Sequence, residues 1–193
     1  MAILSWNIWA LIIPDLATIA RVESFAEHWS KWEYATGWLH IPHLTLYFGH
    51  LNDVPISESK KLIDQLRKKI TGLELLLDDV KVFWGQYLFW NSNIPESLRE
   101  ARQTSLQLSQ YLDPDKRPVA DWLSLTSRQS QNMSQYGHPL VGDDYEPHIT
   151  LWYSPVFDSS NIPQSIPHTM TVQNVVFARM GKYWRVDEII RDI

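Results

Sequence analysis

The chain contains no cysteine, so disulfides, thiolate nucleophiles and cysteine-ligated metals are excluded, and a reducing cytosol is an allowed setting. Clusters of positive charge are missing too. The 17 Lys and Arg are scattered among 22 Asp and Glu, for a net charge of −5. A surface without a basic stripe cannot neutralise the successive phosphates of long nucleic acid. A small nucleotide or a single RNA terminus, gripped through one phosphate, remains compatible. No stretch reaches the about 20 apolar residues that a membrane-spanning helix needs. The apolar run from Ala2 to Ile13 has no basic residue before it and is interrupted by Ser5 and Asn7, which argues for a buried first strand rather than a signal peptide. The expectation is a soluble, cytoplasmic protein of 193 residues, monomeric, forming a single domain with a sizeable core.

One phrase occurs twice. Pro42-His43-Leu44-Thr45-Leu46-Tyr47 is matched by Pro147-His148-Ile149-Thr150-Leu151-Trp152. In an extended chain alternate side chains share a face, so Leu44, Leu46, Ile149 and Leu151 are expected to meet a core. His43, Thr45 and Tyr47 then share the other face, as do His148, Thr150 and Trp152. Proline fixes φ and lacks a backbone donor, which suits a strand entrance. Two imidazoles on facing strands can hold one neutral and one protonated ring near pH 7, a general base and a general acid. The two threonine hydroxyls can donate to the non-bridging oxygens of a phosphoryl group. This arrangement requires no metal and no cofactor.

The duplicated His-apolar-Thr-apolar pattern resembles the signature of the two-histidine (2H) phosphoesterase superfamily, which includes cyclic nucleotide phosphodiesterases and RNA-end-processing enzymes. The opening stretch Trp6 to Pro14 is also similar to the start of its cyclic phosphodiesterase branch. The resemblance implies that His43 and His148 are the catalytic pair and that Thr45 and Thr150 bind phosphate oxygens. It implies an α+β fold of two pseudo-symmetric lobes, antiparallel sheet with flanking helices, around a central cleft. It implies hydrolysis of a cyclic phosphate: a 2′,3′-cyclic nucleotide, an RNA end or a cyclic oligonucleotide signal. The alternatives are a non-catalytic module binding a nucleotide or RNA end in the same cleft, a metal-dependent hydrolase, and two ordinary strands with a polar face.

Along the chain, residues 3–13 read as a strand. Pro14-Asp15 opens a helix with apolar positions Leu16, Ile19, Ala20, Val22, Phe25, Ala26 and Trp29. The first motif strand covers about 43–49. A second helix runs from Ser57, its expected N-cap, to Ile70, with Leu62, Ile63, Leu66 and Ile70 inward and Lys60, Lys61, Lys68 and Lys69 outward. Strands follow over Leu75 to Trp84 and Tyr87 to Trp90, with a turn at Gly85-Gln86. A third helix spans about 95–112. The polar stretch between Thr126 and Asp144 reads as a mobile loop. The second motif strand, a Pro-rich connection over Pro155 to Pro167, and a hairpin turning near Gly181 complete the chain.

Ten Trp, eight Tyr and six Phe must be largely core, because each large aromatic buries roughly 150–250 Å². Tyr47 and Trp152, on the expected histidine faces, are candidates for stacking a base or ribose, and Tyr153 is expected in the core. Arg128, Arg179 and Lys182 are candidates to reach a phosphate. His40, His43 and His50 lack metal-ligand spacing, and no metal site is expected. His28, His138 and His168 read as surface histidines.

Overall fold

The computed structural model describes residues 3–29, 41–83, 85–113, 115, 125–153, 167–180 and 186–190. Strand β1 (Ile3–Pro14) leads into helix α1 (Leu16–Trp29), then β2 (Leu44–Pro55), α2 (Ile56–Ile70), β3 (Glu74–Phe83) and β4 (Tyr87–Ser92). Helix α3 (Glu96–Ser105) tightens into a 3₁₀ turn over Leu106–Tyr111, and α4 (Ser127–Tyr136) precedes β5 (His148–Tyr153), β6 (His168–Met180) and β7 (Val186–Ile190).

The seven strands form one antiparallel sheet in the order β1-β2-β5-β4-β3-β6-β7, and β6 also pairs with β1. The first residues of β6 pair with β3, as Leu75 does with Met170, and its later residues pair with β1, as Ala10 does with Phe177. The sheet therefore returns on itself. The contact between β2 and β5 is confined to one pair, Leu44 opposite Ile149.

One face of the sheet is apolar and carries the helices. Val22 of α1, Leu62, Leu66 and Ile70 of α2, and Leu98 of α3 are buried against Leu44, Leu46, Ile149 and Leu151. Each such side chain contributes roughly 1.5–3 kcal/mol of transfer free energy. Asp15 starts α1: its Oδ1 accepts the Thr18 N–H at 2.9 Å, and its Oδ2 accepts the Thr171 N–H at 2.6 Å, tying the helix start to β6. The opposite face holds a second cluster of Trp9, Leu11, Val176, Ala178 and Met180, against which Phe48 packs.

Several expectations change. The N-cap of α2 is Pro55, one residue before Ile56, and Ser57 lies inside the helix. Leu16 is exposed at the start of α1 although it fits the apolar spacing. The stretch expected as a mobile loop contains α4, held by a capping box in which Thr126 Oγ1 accepts the Gln129 N–H and Gln129 Oε1 accepts the Thr126 N–H. The Pro-rich connection and the final turn fall on residues 154–166 and 181–185, outside the described residues. Among the described residues no helix is long and apolar enough to cross a membrane.

Candidate active site

The two motifs lie side by side. Strands β2 and β5 run antiparallel about the Leu44–Ile149 pair, both of whose side chains are buried under the helices. Carried one residue in each direction, that register sets His43 across from Thr150 and Thr45 across from His148. All four side chains take the face opposite the helices. Directly opposed residues have Cβ atoms about 4.5–5.5 Å apart, and a diagonal pair such as His43 and His148 about 7–8 Å. This register brings two imidazoles and two hydroxyls to one patch of the sheet. Neither Thr45 nor Thr150 has a side-chain hydrogen-bond partner among the described residues.

Each motif contains a β-bulge, and the bulges are equivalent. Ala10 pairs with Tyr47 and Leu11 with Thr45, which leaves Leu46 as the extra residue of β2. Leu88 pairs with Trp152 and Phe89 with Thr150, which leaves Leu151 as the extra residue of β5. A bulge resets the alternation. Tyr47 and Trp152 therefore turn into the helix-side core, 0% and 5% exposed, and are not available to stack a ligand. The next residues take their places on the histidine face. Phe48 stacks on Trp9 with ring centroids 4.6 Å apart, and Tyr153, expected in the core, is half-buried with its ring 4.9 Å from that of Tyr87.

Both histidines are oriented by the same local contact. His43 Nδ1 lies 2.8 Å from the Ile41 carbonyl and His148 Nδ1 lies 2.7 Å from the Glu146 carbonyl, each reaching back across the intervening proline. A ring nitrogen facing a carbonyl is the donor, so Nδ1 carries hydrogen in both rings and proton transfer falls to Nε2. His148 is stacked on Phe89 at 3.6 Å with the planes 13° apart. Loss of solvation there lowers its pKa from 6.5 to about 4, against the backbone contact to Glu146 that raises it. His148 is neutral near pH 7, with an Nε2 lone pair available. His43 meets Trp9 edge-on, centroids 6.4 Å apart.

The first motif is clamped from below. Arg102, buried on α3, donates from its two terminal nitrogens to the carbonyls of Leu46 and, at 2.9 Å, Leu140. Ser105 Oγ also donates to the Leu46 carbonyl at 3.0 Å, and Tyr145 Oη donates to the Thr45 carbonyl at 3.1 Å. The guanidinium lies over the Tyr145 ring, 5.0 Å from its centroid. Burial lowers its pKa to about 10, which leaves it charged at pH 7. One cation thus holds the bulge of the first motif and the segment leading into the second.

The remaining candidates separate. Arg128 is bound in a fork by Asp144, at 2.7 and 2.5 Å, and Arg179 by Glu188 at 2.8 Å, so each is committed to a carboxylate. Lys182 and His40 lie outside the described residues, as does the side chain of His28 on α1. His168 is no plain surface residue: it stacks on Trp90 at 5.6 Å and its Nε2 lies 2.8 Å from Thr18 Oγ1, on the helix side. His138, expected at the surface, is 8% exposed and packed on Phe48. The signal for its placement was Gly137 closing α4 in the left-handed region, at φ 71°, after the Thr126-Gln129 capping box. Among the described residues no three metal-ligating side chains cluster.

Comparison with solved structures decides the fold. The chain matches TT0787 of Thermus thermophilus with a TM-score of 0.55 at 16% identity, covering 96% of this chain and 95% of that one. The fold is that of LigT. E. coli LigT complexed with 3′-AMP matches with a TM-score of 0.53 at 16% identity over 97% of each chain, and LigT complexed with NADP+ with 0.52 at 16% identity over 97% of this chain and 95% of that one. No family model matches the sequence, and no curated protein matches it.

Proposed function

We propose that this chain is a two-histidine phosphodiesterase that opens a cyclic phosphate without a metal. The observation that carries the reading is the crossed arrangement of the two His-Thr pairs about Leu44 and Ile149 on one face of the sheet. The LigT-like fold and the nucleotides held by LigT, 3′-AMP and NADP+, support a small nucleotide or a single RNA end as substrate. The strands divide into two pairing groups, β1-β2 with late β6 and β3-β4-β5 with early β6, and we read these as two lobes of one catalytic domain, acting as a monomer.

In this mechanism Thr45 and Thr150 donate to the two non-bridging oxygens and hold the phosphorus between the rings. Neutral His148 takes a proton at Nε2 from a water molecule as the water oxygen bonds to phosphorus. His43, acting as the imidazolium with a hydrogen on each nitrogen, gives its Nε2 proton to the departing ribose oxygen as the P–O bond breaks. The product is a phosphomonoester, and each proton transfer contributes roughly 10²–10⁴-fold. Turnover of 2′,3′-cyclic nucleotides in EDTA tests the proposal. Activity is expected to survive the chelator and to vanish in His43→Ala and in His148→Ala. Unchanged rates in either variant would refute the assignment.

A further inference from the structure

A third histidine belongs to the same face. His138 follows α4, and its ring meets Phe48 at 3.9 Å, tilted by 66°. A row of contacting rings runs from His43 through Trp9 and Phe48 to His138. The backbone N–H of Leu140 donates to His138 Nδ1 at 2.8 Å. A nitrogen that accepts a hydrogen bond carries no proton, so the ring is neutral and its hydrogen is on Nε2. This is the opposite tautomer to that of His43 and His148. The Nε2–H has no acceptor among the described residues, yet it is not among the side-chain atoms sealed from solvent.

Its position along the strands is informative. Thr45 lies across from His148, and Phe48 lies further along β2 in the direction away from His43. Phe48 and His138 therefore extend the site past His148, beyond the phosphorus position. Arg102 holds this segment through the Leu140 carbonyl, and burial, followed by the Arg102 charge, keeps His138 well below the ordinary histidine pKa. His138 is thus unsuited to moving protons and suited to donating one fixed hydrogen bond.

We infer that His138 is a substrate-binding residue whose Nε2–H donates to an oxygen or ring nitrogen of the nucleoside part of the ligand, on the His148 flank of the phosphate site. The inference rests on the cleft being a nucleotide site, but not on turnover. Side-chain ¹⁵N–¹H NMR of the full chain distinguishes the tautomers, and 3′-AMP and inorganic phosphate serve as probes. The expected result is that 3′-AMP shifts the His138 Nε2–H signal, while phosphate alone moves His43 and His148 and leaves His138 in place.

Two variants separate binding from architecture. His138→Gln keeps an N–H near the Nε2 position, and His138→Asn keeps an acceptor near Nδ1. If Nε2–H touches ligand, the Gln variant retains 3′-AMP affinity and the Asn variant loses roughly 2- to 10-fold, the worth of one neutral hydrogen bond. The reverse order, or a His138 signal blind to 3′-AMP, overturns the inference and assigns His138 a structural role. A His138 response without cyclic phosphate turnover sustains the inference and refutes the phosphodiesterase reading. No response of any histidine to either probe refutes both.

Discussion

The two threonine hydroxyls offer the cleanest separation of chemistry from stability. Thr45 and Thr150 carry no side-chain hydrogen bond among the described residues, so replacing them breaks no partnership seen there. Valine preserves the shape and the β-branched preference for extended backbone while removing the hydroxyl. A hydrogen bond to a charged phosphoryl oxygen is worth about 1.5–3 kcal/mol. At about 1.4 kcal/mol per tenfold, Thr45→Val and Thr150→Val should each lower kcat/KM by roughly 10- to 150-fold. Both hydroxyls would serve one phosphoryl group, so the double variant is expected to fall short of the product of the single losses. Thermal unfolding should change little, by less than about 2 °C, because a half-buried strand accepts valine readily. Steady-state kinetics on a 2′,3′-cyclic nucleotide, paired with calorimetry, reads both quantities. A double variant retaining a third or more of wild-type kcat/KM would refute the role of these residues, and a large drop in Tm would show that they serve the fold.

Three further outcomes follow from the packing. His148 binds its proton less readily in the folded state, about 4 against 6.5, so the unfolded chain takes up more protons between those values and stability falls as pH drops through that window, by up to about 3 kcal/mol; denaturation from pH 7 to 4 should show this slope, His148→Gln should flatten it, and a ring titrating near 6.5 by NMR would contradict it. Gly137→Ala should lower Tm by roughly 5–10 °C, because φ is 71° and the new Cβ would lie 2.6 Å from Leu112 Cδ2, a methyl also pressed against Gly49; an unchanged Tm would mean that this turn relaxes freely. Thr126→Ala should cost about 1 kcal/mol, and Gln129→Ala should add little to it, since the capping box works as a pair; full additivity of the two would argue against it.

Much of the site was legible because it is local. Pro-His-apolar-Thr-apolar specifies an entry kink, a strand and the face of its first three residues, and both copies do this in the structure. Tyr47 and Trp152 were misplaced because a bulge is a relation between two strands: Leu46 and Leu151 are extra only when counted against β1 and β4. Their signal is absent from the strand that contains them. The helix over 127–136 is a different case, since Thr126, Gln129 and Gly137 announced both its ends while its polar composition concealed it. Only Met133 of α4 is buried, so hydrophobic periodicity had little to report.

By itself the sequence determined which side chains repeat in the two motifs and which strands carry them, for alternation and proline geometry depend on neighbours in the chain. The tertiary structure alone decided that the two strands meet at Leu44 and Ile149, that bulges replace Tyr47 and Trp152 by Phe48 and Tyr153 on the histidine face, and that His138 joins it. It also placed one buried guanidinium, Arg102, beneath the carbonyls of Leu46 and Leu140. Those facts depend on cross-strand register and on burial, which arise only when distant segments close on one another.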